Sequence, residues 1–120
     1  HEPEKVAKTA KINAYHVSLL ARFLEKLRST PEGDGNVLDH AMVLHGGGIS
    51  DGDAHDHDDL PLVVVGGGTG RLKGGRVISS PIKTPMNNLL SSLLDKVGVH
   101  PEQFGDATGT LPLAEPLSGI

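Results

Sequence analysis

The chain has 120 residues, no cysteine, no tryptophan and a formal net charge of −4. That length allows one domain with a modest core, and the absence of cysteine excludes a disulfide framework or a thiolate metal site. The mild acidity, with no cluster of Lys or Arg, argues against nucleic acid as a partner, and no apolar run approaches the roughly 20 residues that span a bilayer.

From Pro3 to about Arg28 the sequence reads as one helix, with Pro at an early position, Glu2 and Glu4 in the first turn, and Lys26 and Arg28 in the last. Ala10, Ala14, Val17, Leu20, Leu24 and Leu27 recur at three-and-four spacing, a stripe expected to pack against something. His16 on this helix reads as a half-buried histidine rather than a ligand. Pro31 disfavours helical geometry at Thr30, and Gly33 and Gly35 turn the chain. Two short apolar runs follow, Ala41 to Leu44 and Leu62 to Val65, both lacking polar alternation and so read as strands covered on both faces. Arg76 to Ser79 is expected to add an edge strand after the glycine-rich stretches Gly66 to Gly70 and Gly74 to Gly75. Thr84 is expected to cap a second helix that has Pro85 at its first position and runs through a leucine stripe to a stop at Gly98. The order of elements argues for an α/β fold, a small mostly parallel sheet flanked by helices. Residues 1–107 form that segment and residues 108–120 an irregular tail. The chain begins at His1 without a signal-peptide pattern, as a mature product, a trimmed chain or the tail of something longer would.

Most of the chemistry lies between the two apolar runs. Asp51, Asp53, His55 and His57 occupy every second position, so an extended backbone would turn all four to one side. Imidazoles beside carboxylates suit a divalent metal such as zinc, manganese or iron, whereas a solvated acidic loop is the plain alternative. An EF-hand is excluded, since counting from Asp51 puts Asp56 at the glycine position and Leu62 at the bidentate acid. His45-Gly46-Gly47-Gly48 matches the oxyanion loop of many esterases, but no G-x-S-x-G nucleophile elbow follows it. Gly66 to Gly70 lacks the pattern of a phosphate-binding loop and is expected to be mobile.

A further set of residues carries a resemblance: His1 with Pro3-Glu4-Lys5, Lys11-Ile12-Asn13 with His16, Phe23 to Leu27, Thr30 to Gly35, Leu38-Asp39-His40, Ser50-Asp51-Gly52, His55 to Pro61, Lys73 to Arg76, Thr84 to Leu89, and Phe104-Gly105-Asp106. As a set these resemble the C-terminal third of domain-of-unknown-function family fifteen fifty-two, exported bacterial proteins similar to the alkaline phosphatase and sulfatase superfamily. The resemblance implies the C-terminal portion of an alkaline-phosphatase-like fold and a metal-dependent ester hydrolase with an exported, periplasmic location. It places Asp51 at the superfamily's metal aspartate and His55 or His57 at its late metal histidine. His1 falls near the earlier metal histidine, and Asp53 supplements the set. Gly52 stands where the superfamily usually has a second histidine, which puts one of its two metal sites in doubt. The superfamily nucleophile would lie upstream of His1, so these residues alone are not expected to catalyse. The rival reading is a non-catalytic structural or assembly module with a degenerate site. Either way the expected partner is the missing upstream part of the same protein, or a second copy.

Overall fold

The computed structural model of the chain describes residues 2–114. They divide into two compact units that meet in sequence between Asp39 and His40.

The first unit is dominated by α1, Pro3–Ser29, a helix of 27 residues and hence about 40 Å long. Pro3 opens it at a position where a missing N–H costs nothing, and the Glu2 carbonyl accepts from the Lys5 and Val6 amides at 3.0 and 3.1 Å. Glu2 also pairs with Lys5 (3.1 Å) and Glu25 with Arg28 (3.3 Å), exposed pairs that contribute only tenths of a kcal/mol, roughly 0.3–0.5 each. The helix ends as expected before Pro31: Thr30 is extended (φ −96°, ψ 111°), and its hydroxyl donates to the Lys26 carbonyl at 2.7 Å. The apolar stripe is another matter. No residue of α1 is buried; Leu20, Leu24 and Leu27 are half-buried, while Val17 and His16 are exposed.

After α1, β1 (Pro31–Glu32) and β2 (Gly35–Asn36) form a minimal antiparallel hairpin, with Gly33 in the left-handed region (φ 58°). A single helical turn, α2 (Val37–His40), follows. Asn36 and Asp39 cap it reciprocally, each side chain accepting from the other's amide at 3.2 and 3.0 Å.

In the second unit β3 (Val43–Gly46) and β4 (Leu62–Val65) pair antiparallel, Val43 opposite Val65 and Gly46 opposite Leu62. The expected mostly parallel sheet flanked by helices is therefore corrected: among the described residues there are two sheets, each of two antiparallel strands. The reason lies in the connection. A parallel pair needs a crossover, usually helical, whereas here the intervening chain folds back on itself through a bridge between Asp51 and Asp56. The strands are also less covered than their apolar runs suggested. All of β3 but Gly46 is half-buried, and Val63 in β4 is 44% exposed.

Arg76 to Ser79 is not a strand. Its Arg76 guanidinium is drawn to the Lys73 and Pro112 carbonyls (2.9 and 2.8 Å), and Val77 is 84% exposed. The glycine stretch before it contains a short 3-10 turn, Gly68–Gly70, tied back by the Gly68 amide to the Ala41 carbonyl at 3.0 Å.

The last helix, α3, is Met86–Lys96. Thr84 does not cap it; its hydroxyl donates instead to the Pro81 carbonyl at 2.7 Å, and Pro85 occupies the cap position. The C-terminus follows expectation, with Gly98 at φ 81° and its amide on the Asp95 carbonyl, while the Val99 amide reaches the Leu94 carbonyl. The buried residues around α3 define the core: Asn88, Leu89 and Ser92 on the helix, and Leu113 from the chain after it. Residues 104–114 have no regular structure but are firmly attached. The Leu111 amide donates to Ser92 Oγ at 2.6 Å, the Thr108 amide to Asn88 Oδ1 at 2.8 Å, and Asn87 Nδ2 to Asp106 at 2.7 Å. The irregular tail foreseen from residue 108 is thus pinned as far as residue 114; residues 115–120 lie outside the described range.

Candidate functional site

The loop between β3 and β4 is built from its own backbone. The Gly47 amide donates to the Pro61 carbonyl (3.3 Å), extending the strand ladder by one step. Gly46 is required by packing there: a Cβ would collide with the Pro61 carbonyl oxygen and come within 2.6 Å of a Leu62 methyl. This steric need accounts for glycine at position 46, whereas a Cβ at Gly48 would meet nothing within 4 Å.

Farther out, Ser50 and Asp51 meet Asp56. The Ser50 amide donates to the Asp56 carbonyl at 2.9 Å and the Asp56 amide to the Asp51 carbonyl at 3.1 Å, closing a tight turn. Asp51 stabilises that turn itself, with Oδ1 accepting from the Asp53 and Ala54 amides at 2.9 and 3.3 Å. Asp56 repeats the device one step later on the Asp58 amide, at 2.9 Å. His55 sits at the turn in the left-handed region (φ 54°).

A turn of this kind overrides the extended geometry that would have placed Asp51, Asp53, His55 and His57 on one side. All four are exposed, and among the described residues no group of three or more His, Cys, Asp or Glu side chains gathers where it could hold a metal ion. His1, the fifth residue of the expected set, lies outside the described residues.

One of the four is oriented in a way the sequence did not disclose. His57 Nδ1 donates to the Gly48 carbonyl at 2.6 Å. A carbonyl can only accept, so the proton must be on Nδ1, and in the neutral ring the lone pair is on Nε2. Metal-binding imidazoles are commonly fixed by this arrangement, one nitrogen tied to a carbonyl and the other left to coordinate. Asp51 retains a second carboxylate oxygen with no bond from a described residue. Each of these two side chains keeps one donor atom of a kind that divalent cations take, which is fewer than a complete ligand set.

Below the loop, the second unit contains an open groove of about 1050 Å3 that begins at His57, Asp58 and Asp59 and continues past β4. Sequence reasoning missed this feature, because the groove depends on residues 76–81 standing apart from β4 instead of pairing with it. The other missed residues are Asn88 and Ser92. Their four-residue spacing on a leucine-rich helix was the available signal, since it sets both polar groups on one face.

Comparison of the chain with family models, with curated proteins and with solved structures found no match. Among the described residues, no helix is long and apolar enough to cross a membrane.

Proposed function

We propose that the chain is the metal-site-bearing C-terminal part of an alkaline-phosphatase- or sulfatase-like ester hydrolase, supplying a partial cation site that other protein groups complete. The observation that supports this reading is the His57 imidazole, held through Nδ1 by the Gly48 carbonyl, which leaves the Nε2 lone pair of the neutral ring to coordinate. Asp51 is the second ligand through the oxygen its turn does not use; Asp53 and His55 are not gathered with this pair into a group of three, so the remaining ligands come from other protein groups. His1 is the further candidate that the resemblance supplies. A divalent metal bound there, zinc or manganese, would polarise a phosphate or sulfate ester and stabilise developing oxyanion charge. The role of this chain's residues is to bind and orient; the nucleophile belongs to upstream sequence, and an exported location accompanies the same family likeness.

A second reading is favoured by the lack, among the described residues, of a three-ligand group. In it the chain is a non-catalytic structural or assembly module whose loop no longer holds an ion. Thermal unfolding with added zinc or manganese separates the two, because a ligand that binds only the folded state raises its melting temperature. The hydrolase reading expects a rise of several degrees that His57→Ala removes. No rise, or an equal rise in His57→Ala, contradicts it and leaves the assembly module.

A further inference from the structure

The open groove of the second unit has a geometry of its own, independent of any metal. Three consecutive β4 residues, Leu62, Val63 and Val64, line it and no β3 residue does, so it runs along the β4 edge that faces away from β3. The register determines what that edge presents. Since the Gly47 amide bonds the Pro61 carbonyl, the pairs that exchange hydrogen bonds are His45 with Val63 and Val43 with Val65. Leu62 and Val64, in the alternate pairs, turn their N–H and C=O groups outward, where no described residue bonds them. Across the groove the chain from Arg76 to Pro81 forms a wall that does not close on β4. It is held back by the Arg76 guanidinium, bonded to the Lys73 and Pro112 carbonyls.

We propose that this groove receives an extended polypeptide segment, which adds to β4 as a strand through the backbone of Leu62 and Val64. An unpaired strand edge is a template for that addition, and backbone bonds give affinity while alternate side chains give selectivity. Leu60, Leu89 and Leu111 line the groove and favour aliphatic side chains on the inward positions of the incoming segment. Asp58 and Asp59 line its loop end, in a stretch from 51 to 59 with five aspartates and no Lys or Arg, and favour a basic residue there. A second copy of the chain would bring its own β3 and its own 76–81 wall along with β4; a lone strand brings neither.

The test uses the full chain in EDTA, so that its outcome is independent of metal binding, and a fluorescein-labelled peptide of alternating valine and threonine ending in lysine. Fluorescence anisotropy should show saturable binding. Two further peptides carry N-methyl groups on alternate amides in the two possible frames. Only every second residue of an added strand faces β4, so one frame should weaken binding at least about tenfold and the other little. Val64→Pro, which removes an outward N–H but no β3–β4 bond, should abolish binding. Absence of saturable binding, equal effects of the two frames, or unchanged binding by Val64→Pro overturns the proposal. So does sedimentation showing concentration-dependent dimers that take up no peptide, which would assign the edge to a second copy. The methylated peptides alter only the ligand and decide the question even if the proline variant disturbs the hairpin.

Discussion

α1 and α3 carry the same kind of apolar periodicity, yet only α3 has buried residues. The longer helix has more apolar side chains, including Val17, Leu19 and Phe23, and leaves them exposed. What separates the two is polar. Asn88 and Ser92 on α3 hold the backbone of the following chain at Thr108 and Leu111, and that chain lays Leu113 into the core. Within this molecule, of these two leucine-striped helices only the one whose polar side chains also bind the backbone of another segment has buried residues.

That contrast can be broken at its centre. Leu89→Ala removes a buried side chain and should cost about 3 kcal/mol of unfolding free energy, read from the shift of a urea melt; a cost below about 1 kcal/mol would mean the core around α3 is not packed. Asn88→Ala takes away the acceptor of the Thr108 amide and a donor to its hydroxyl, and should cost about 2 kcal/mol in the same measurement. Neighbouring serines sharpen the point. Ser92 Oγ, 2% exposed at residue level, accepts from the Leu111 amide and donates to the Asn88 carbonyl, whereas buried Ser91 Oγ has no partner among the described residues. Ser92→Ala should therefore destabilise by about 1 kcal/mol, and Ser91→Ala should be neutral or stabilising by about 0.5 kcal/mol. The smallest effect belongs to α1, where Val17→Ser should stay within about 0.5 kcal/mol. A cost there equal to that of Asn88→Ala would erase the distinction between the helices.

Both ends of α1 and the C-terminus of α3 were legible in the sequence because they are set locally, by Pro3, Pro31 and the left-handed Gly98, whereas the cap expected at Thr84 does not form. Strand direction was not. Ala41 to Leu44 and Leu62 to Val65 are too short for periodicity to distinguish a parallel from an antiparallel pair, and the decisive information lay in the loop. There Asp51-Gly52 is a turn signal, and reading Asp51 to His57 as an extended row of ligands overlooked it. The aspartate carboxylate that looked like a ligand is partly committed to its own turn. His57 was legible as a candidate, but its orientation was not, because the Gly48 carbonyl that fixes the ring stands nine residues away across a hairpin. Asn88 and Ser92 were hidden because the amides they hold, at Thr108 and Leu111, lie 20 and 19 residues farther along the chain.

The most direct measurement is a nitrogen-15 NMR spectrum of the histidine side chains at a pH where the rings are neutral, followed by titration with zinc. The account expects His57 to carry its proton on Nδ1 and to show zinc-dependent shifts at Nε2. A proton found on Nε2, or a His57 ring unmoved by zinc while the protein stays folded, would contradict it.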